Sequence, residues 1–340
     1  MHAKLLSLSL ILGIATAQQL SATSVIEGLD TVWDIAFAPD QTLYLTERPG
    51  RISAWDGANL TVLAELEVAE QDGTESGLMG MALDPEFPDQ PYMYVCYTYD
   101  EGGLKNRVER LRLDHQALVA DKVLLESMQG GAIHDGCRVR FGPDGYLYIT
   151  MGETGDTSLA QNLESFNGKV LRIDREGDIP SDNPFPGSPV FTYGHRNPQG
   201  LDFHPETGAP YVSEHGPSVN DEINRLEAGK NYGWPELSGT QPVQGYHPAL
   251  YAWSPTVGTA GIAFYDPHTL YVATLKKQQL YKLELDDAGK VLRARGVLSG
   301  QGRLRAITLG PDNCLYIGTS SRDGRGHPRG ADDRVLRVCP

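Results

Sequence analysis

The sequence predicts an all-β fold, a six-bladed β-propeller of four-stranded antiparallel sheets. The first sign is a pattern that recurs six times: an apolar stretch, a turn built on Pro, Asp or Gly, then a second apolar strand that often contains Leu-Tyr. The second is period-two alternation, as in Arg110-Leu111-Arg112-Leu113 and Tyr281-Lys282-Leu283-Glu284-Leu285, which reads as half-exposed antiparallel strand. The third is that no window of comparable length carries helical periodicity. Repeats of about 40–60 residues, each made of several strands, point to a propeller. Such a fold carries its chemistry on loops at one end of a central channel.

The copies begin near Trp33, Gly77, Cys137, Pro198, Thr259 and Arg303. The first reads Ala36-Phe37-Ala38-Pro39-Asp40 then Leu43-Tyr44-Leu45-Thr46. The third reads Arg140-Phe141-Gly142-Pro143-Asp144-Gly145 then Leu147-Tyr148-Ile149-Thr150, and the last Leu309-Gly310-Pro311-Asp312-Asn313 then Leu315-Tyr316-Ile317. After each Leu-Tyr strand comes a loop and a further strand, such as Lys169-Val170-Leu171-Arg172-Ile173 or Arg334-Val335-Leu336-Arg337-Val338. A strand around Ser24–Glu27 precedes the first copy and is expected to complete the last blade. Insertions at 152–168, 175–195 and 214–247 lengthen the third and fourth copies. Long insertions in a compact repeat fold usually serve function.

At the start of the chain, Lys4, the apolar run Leu5 to Ile14 and Ala15-Thr16-Ala17 read as a secretory signal peptide over residues 1–17, too short to span a bilayer. Residues 18–340 are expected to form one catalytic propeller, secreted or periplasmic. No later stretch is long enough for a membrane helix. With 29 Lys and Arg against 44 Asp and Glu, the formal charge is −15. That argues against nucleic acid or an anionic membrane as partner, and makes any local cluster of cations informative. An oxidising compartment permits the four cysteines to form disulfides. Cys314 and Cys339 could pair across the last blade and Cys96 with Cys137, although spacing alone does not fix connectivity. No cysteine spacing resembles a zinc site.

Arg196, Lys276, Arg303 and Arg305 come from three repeats, each near a strand–loop junction. Ring closure would gather them into a pocket for a multiply charged anion. Taken singly, each reads as an ordinary surface ion pair. His134, immediately before a strand, is the candidate general base, against the plain alternative of a satisfied loop histidine. Glu214-His215-Gly216-Pro217 and Asn220-Asp221-Glu222-Ile223-Asn224 are rich in the oxygen donors that calcium prefers. Pro217 has no N–H, so a Gly-Pro pair exposes carbonyls in fixed geometry; a rigid turn is the alternative.

Together these segments resemble the soluble, pyrroloquinoline quinone (PQQ)-dependent sugar dehydrogenases, in particular the shorter aldose sugar dehydrogenases of the glucose/sorbosone dehydrogenase family. The resemblance rests on Glu75-Ser76-Gly77-Leu78-Met79-Gly80, His134-x-Gly136-x-Arg138, Gly168 to Ile173, Gly194 to Gly200, Glu214 to Asn224, Gly229 to Pro235 and Arg303-Leu304-Arg305. These run in order from about residue 33 to the C-terminus. The resemblance implies PQQ across the channel mouth, with Lys276, Arg303 and Arg305 at its carboxylates and quinone edge. Asn197, Gln199 and Thr256 would add hydrogen bonds. Calcium would sit on the carbonyls of Gly216 and Pro217, and a second, structural calcium at Glu222 with the carbonyl of Tyr232.

In the chemistry so implied, His134 takes the proton of an aldose's anomeric hydroxyl while the C1 hydride passes to C5 of PQQ. Calcium and Arg196 polarise the C5 carbonyl. The product is a lactone. The electrons go to an external acceptor, because no Cys-x-x-Cys-His haem motif is present. Glu75 and Glu153 match positions near the substrate. Three departures from the family pattern border the sugar site: Cys137 where a small residue is usual, Ala306 after Arg305 where Asp is common, and Glu153 for the frequent Asp. The chain is shorter than the larger glucose dehydrogenases of the group, so an open pocket, a broad aldose range and a monomer are expected. Two other readings compete. A calcium-dependent propeller lactonase would need no basic cluster. A non-catalytic extracellular propeller that binds protein or glycan would need no His134 and Arg196 beside an anion pocket.

Overall fold

The computed structural model describes residues 19–71 and 73–340, and the signal-peptide reading lies outside them. Strands are numbered in chain order, beginning with β1 (Ala22–Ile26). The first blade is β2 (Val32–Phe37), β3 (Leu43–Glu47), β4 (Arg51–Trp55) and β5 (Leu60–Glu65). The second is β6 (Leu78–Leu83), β7 (Tyr92–Asp100), β8 (Leu104–Asp114) and β9 (Ala117–Gln129). The third is β10 (Gly136–Phe141), β11 (Leu147–Met151), β12 (Lys169–Ile173) and β13 (Val190–Tyr193). The fourth is β14 (Pro198–Phe203), β15 (Pro210–Glu214), β16 (Asp221–Arg225) and β17 (Tyr251–Trp253). The fifth is β18 (Thr259–Asp266), β19 (Thr269–Thr274), β20 (Gln279–Leu285) and β21 (Val291–Ser299). The sixth is β22 (Leu304–Leu309), β23 (Leu315–Thr319), β24 (Val335–Val338) and, outermost, β1.

The inner strands β2, β6, β10, β14, β18 and β22 adjoin in turn, and β2 meets β22 to close the ring. They start within a residue of the six positions at which the sequence repeats begin. β1 pairs antiparallel with β24, from Ala22 opposite Val338 to Ile26 opposite Val335. The strand expected around Ser24–Glu27 therefore closes the last blade. A single 3₁₀ turn, Thr157–Ala160, is the one helical element among the described residues.

The repeated Pro-Asp turn and Leu-Tyr strand have a physical reason. In the second strand of a blade the leucines are fully buried, as at Leu43, Leu147 and Leu315. The tyrosine hydroxyl beside them donates back to the turn aspartate, Tyr148 to Asp144 at 2.9 Å and Tyr316 to Asp312 at 3.3 Å. The ring then meets the inner-strand phenylalanine of the next blade edge-on. Centroid separations are 4.9 Å for Tyr94–Phe141, 5.1 Å for Tyr148–Phe203, 5.1 Å for Tyr211–Phe264 and 4.8 Å for Tyr316–Phe37. Each such pair contributes about 0.5–1.5 kcal/mol beyond the area it buries. One motif thus fixes the turn, packs the blade and docks it on its neighbour.

Both disulfides considered from the sequence form. Cys314–Cys339 lies within the last blade, while Cys96–Cys137 joins β7 of the second blade to β10 of the third. Among the described residues no helix is long and apolar enough to cross a membrane.

Candidate functional site

The loops that lead into the inner strands, with the β15–β16 and β19–β20 loops, surround a cleft of about 400 Å³. Glu75, His134, Arg196, Gly216, Pro217, Thr256, Lys276 and Arg303 all line it. These residues come from five blades. Asn197, Gln199 and Arg305 lie directly beneath, bonded to one another or to Glu75. Glu153, Glu222 and Tyr232 do not line the cleft.

His134 sits on a tight turn in which His134, Gly136 and Cys137 all have left-handed φ, at 62°, 66° and 66°. Such conformations are uncommon for residues with a Cβ. Two anchors hold this one: the Cys96–Cys137 bridge, and a bond from the His134 amide to Glu75 Oε2 at 2.9 Å. Gly152 packs so close that a Cβ there would collide with the His134 carbonyl. Glu153 follows it and places Oε1 3.0 Å from His134 Nδ1. Its other oxygen accepts from the Gly155 amide. An ionised carboxylate only accepts, so Nδ1 carries the proton and Nε2 is left as an acceptor. Glu153, matched by the resemblance to a position near the substrate, is buried and bonded to the histidine.

Glu75 is a hub. Its Oε2 also accepts from Asn197 Nδ2 and Gln199 Nε2, both at 3.3 Å, and its Oε1 from Arg325 Nη1 at 2.8 Å. Burial alone would raise this carboxyl, but His215, Arg325 and His134 outweigh it and pull it down to about 2.

The cationic side is built from the fifth and sixth blades. Arg303 donates to Asp323 Oδ2 through Nε at 2.9 Å and Nη2 at 2.7 Å. Arg305 reaches the same oxygen at 3.4 Å, Ser320 Oγ at 2.9 Å and Gln199 Oε1 at 3.0 Å. One carboxylate shared by two guanidiniums leaves an excess of positive charge. Burial lowers Arg305 to about 10. Lys276 is exposed and its Nζ donates to Thr256 Oγ1 at 2.8 Å. Arg196 lies 5.3 Å from the Trp234 ring centre and donates to the His215 carbonyl at 3.1 Å. Burial lowers its pKa against the pull of Glu153, Glu214, Glu75 and Asp221.

The cations and the unpartnered donor Arg196 Nε fit a polyanionic guest; the acceptor Asn197 Oδ1 and His215 Nε2 are also buried without any partner. Such atoms are costly unless a ligand or water meets them.

For a metal, the picture is divided. Asp221 accepts from the amides of Gly216 at 2.8 Å, Val257 at 2.7 Å and Gly258 at 2.5 Å, so it shapes the Gly216–Pro217 turn rather than offering a free carboxylate. A cation there would rest on backbone carbonyls and on the guest's own oxygens. Glu222 lies deeper in the fourth blade, where burial and the nearby Glu214 push it up to about 8. Its neighbour Asn224 has an unpartnered, buried Oδ1. Both Glu222 oxygens already accept, one from the Gly239 amide and one from the Asn224 side-chain amide, and His195 pairs with Glu214. Tyr232 is nearby in the fold, its hydroxyl donating to the Arg225 carbonyl at 2.7 Å and its ring stacked on His195 at 4.8 Å. No group of three or more His, Cys, Asp or Glu residues that could hold a metal occurs among the described residues.

Sequence reasoning did not single out Asp221, His215, Asp323 or Arg325. The first two fall in the oxygen-rich Glu214–Asn224 stretch, which was a usable signal. The last two sit in a polar loop without motif or period, and only ring closure brings them to the site.

The profile of the Glucose / Sorbosone dehydrogenase family matches residues 29–328. An aldose sugar dehydrogenase of Escherichia coli (strain K12) is 30% identical, the alignment covering 92% of this chain and 91% of that protein. A solved oxidoreductase from Thermus thermophilus, described as a glucose dehydrogenase, is 45% identical with a TM-score of 0.89, covering 94% of this chain and 99% of its own. The PQQ-bound form of an aldose sugar dehydrogenase from Streptomyces coelicolor is 34% identical with a TM-score of 0.88, covering 95% and 98%. A match over most of the propeller, and over the loops that form the cleft, makes this chain a member of the glucose/sorbosone dehydrogenase family.

Proposed function

We propose that the protein is a PQQ-dependent aldose sugar dehydrogenase that oxidises C1 of the sugar to the lactone and passes the electrons to an external acceptor. The observation that carries this reading is the convergence of His134, Glu75, Arg196, Lys276 and Arg303 on one cleft. A histidine base alone would suit many hydrolases, and a cation pocket alone would suit any anion binder. The two together suit removal of a proton beside a polyanionic redox cofactor.

PQQ, when bound, supplies a quinone that accepts the hydride. Lys276 and Arg303 would hold its carboxylates, with Arg305, Gln199 and Asn197 as further hydrogen-bonding groups. Thr256 orients the Lys276 ammonium. Arg196, its guanidinium held by Trp234 and by the His215 carbonyl through Nη1, has an unpartnered Nε that would be free to donate to an oxygen on which negative charge develops. His134 receives the anomeric hydroxyl proton at Nε2, and Glu153 stabilises the imidazolium that results. Glu75 is held ionised by its neighbours and accepts a hydrogen bond from a sugar hydroxyl. The carbonyls of Gly216 and Pro217 would hold calcium in the cleft, and Glu222 with the Tyr232 carbonyl a second, structural ion. Two disulfides support a secreted or periplasmic location. We place the catalytic propeller at residues 18–340, acting as a monomer.

The test is reconstitution. The purified protein is assayed for dye reduction with glucose and other aldoses, with and without PQQ and calcium. Turnover should require PQQ and rise with calcium, and His134→Ala should bind PQQ without turning over. Sugar oxidation in the absence of PQQ, or no measurable PQQ binding, overturns the reading.

A further inference from the structure

One surface beside the cleft runs against the charge of the whole molecule. The loop joining β23 to β24 carries Arg322, Arg325, Arg329 and Arg334 against Asp323, Asp332 and Asp333. The signs nearly balance, but burial separates them. All three aspartates are buried, and their oxygens are engaged internally. Asp323 is taken up by Arg303 and Arg305. Asp333 accepts from the amides of Thr31, Ser321 and Arg322 at 3.0, 2.6 and 3.0 Å. Asp332 accepts from the Arg329 amide at 2.9 Å and pairs with Arg334 at 3.4 Å.

The cations are placed differently. Arg322, Arg325 and Arg329 stay exposed, as do Lys276 and Lys277 on the loop between β19 and β20 of the adjoining blade. Only Arg325 spends its charge on a cleft carboxylate, Glu75. Lys277 and Arg329 have no ion-pair partner among the described residues. A second pocket of about 150 Å³ opens between these loops, lined by Gln301, Arg303, His327, Arg329 and Arg334, with Asp332 the one carboxylate in its wall, already paired with Arg334. It shares Arg303 with the cleft, so the basic surface and the candidate redox site are continuous.

A chain with a formal charge of −15 repels anions at long range. An exposed basic rim beside the cleft reverses that locally. We propose that this rim docks an acidic electron-carrier protein. The inference rests on the dehydrogenase reading above. The cations spread over loops of two blades instead of closing around one small ion, which suits the acidic face of a protein. One carrier carboxylate enters the pocket between Arg303, Arg329 and Arg334. The reaction balances with two one-electron carriers: the aldose loses two electrons and two protons to become the lactone, each carrier gains one electron, and both protons pass to solvent.

The experiment compares wild type with the double variant Lys277→Glu/Arg329→Glu, neither residue lining the cleft. Holoenzyme is assayed with glucose and three acceptors: an acidic c-type cytochrome, a basic c-type cytochrome and a neutral quinone. Binding of the oxidised acidic cytochrome is measured separately by calorimetric titration. In wild type, kcat/KM for the acidic cytochrome should fall roughly tenfold or more as salt rises from about 10 to 200 mM, as steering is screened. The variant should lose that advantage at low salt by a similar factor and bind the acidic cytochrome correspondingly more weakly. Its turnover with neutral quinone should match wild type. Equal salt dependence and equal binding in wild type and variant, or a basic cytochrome that outruns the acidic one at low salt, overturns the docking surface. Loss of neutral-quinone turnover in wild type would instead strike the dehydrogenase reading, and the binding titration would still judge the surface.

Discussion

Glu153→Ala removes a single contact that the chemistry should feel strongly. The Glu153 carboxylate is buried, 3.0 Å from His134 Nδ1, and its second oxygen is pinned by the Gly155 amide. It therefore fixes both the orientation and the tautomer of the ring. A hydrogen bond to a charged group contributes about 1.5–3 kcal/mol. At about 1.36 kcal/mol per decade of rate, its loss should lower kcat roughly 10- to 150-fold. Glu153→Gln keeps the shape, but its amide can offer an oxygen to only one of the two donors, so an intermediate loss is expected. Both variants should bind PQQ normally, because Glu153 does not line the cleft. The assay is steady-state sugar oxidation with a neutral quinone at saturating PQQ and calcium, from about pH 5 to 9, with PQQ affinity titrated in parallel. If Glu153→Ala keeps kcat within about twofold and leaves the pH profile unmoved, the histidine does not depend on this carboxylate and its role as base is refuted.

Two further outcomes test the frame around the site. Asp135 is buried, with Oδ1 accepting from Asn106 at 2.9 Å and Gly131 at 3.0 Å and Oδ2 unpartnered. Burial pushes this carboxyl up to about 7, against an ordinary value of about 3.9. The folded state therefore holds the proton more tightly, and the stability this supplies is complete below about pH 4 and lost as pH rises through about 7. The ceiling is roughly 4 kcal/mol. In urea unfolding, Asp135→Asn should gain on wild type from about pH 4 to 8, whereas a gap independent of pH refutes the assignment. Lys169 is fully buried in β12, its Nζ donating to the carbonyls of Leu159, Ala160 and Asn167 at 2.7, 3.0 and 2.7 Å. Lys169→Met leaves three acceptors unmet and should cost about 3–5 kcal/mol with new protease cleavage inside 152–168; a loss under about 1 kcal/mol would show that the ammonium is not what holds the insertion.

What the sequence revealed, and what it hid, follow from the range of each interaction. The Pro-Asp and Leu-Tyr grammar is legible because Asp144 bonds Tyr148 and Asp312 bonds Tyr316 within one turn, and the repeat writes that contact again in successive blades. The four cations and His134 were legible from their places at strand–loop junctions of the repeats, whereas Asn197, Gln199, Thr256 and Glu75 came only from the family resemblance. Arg325 escaped notice because its partner, Glu75, lies 250 positions away. The contact of Glu153 with His134 was not legible, since side-chain direction depends on how the 152–168 insertion folds back on the His134 turn. The channel interior was equally silent. Asp34 in β2 pairs with Arg138 at 2.5 Å and Arg140 at 2.7 Å from β10, two buried charges and one half-buried joined across the ring.

The pairing of β1 with β24 makes the beginning and end of the chain mutually dependent. Arg303, Arg305 and Asp323 belong to the blade that this pairing completes, although none of them lies near either terminus. A nascent chain therefore has no finished anion pocket until its last strand has emerged and found its first. Deleting β1 or β24 should disable cofactor capture from a distance, and recutting the chain at a loop between other blades should preserve it if β1 and β24 remain joined.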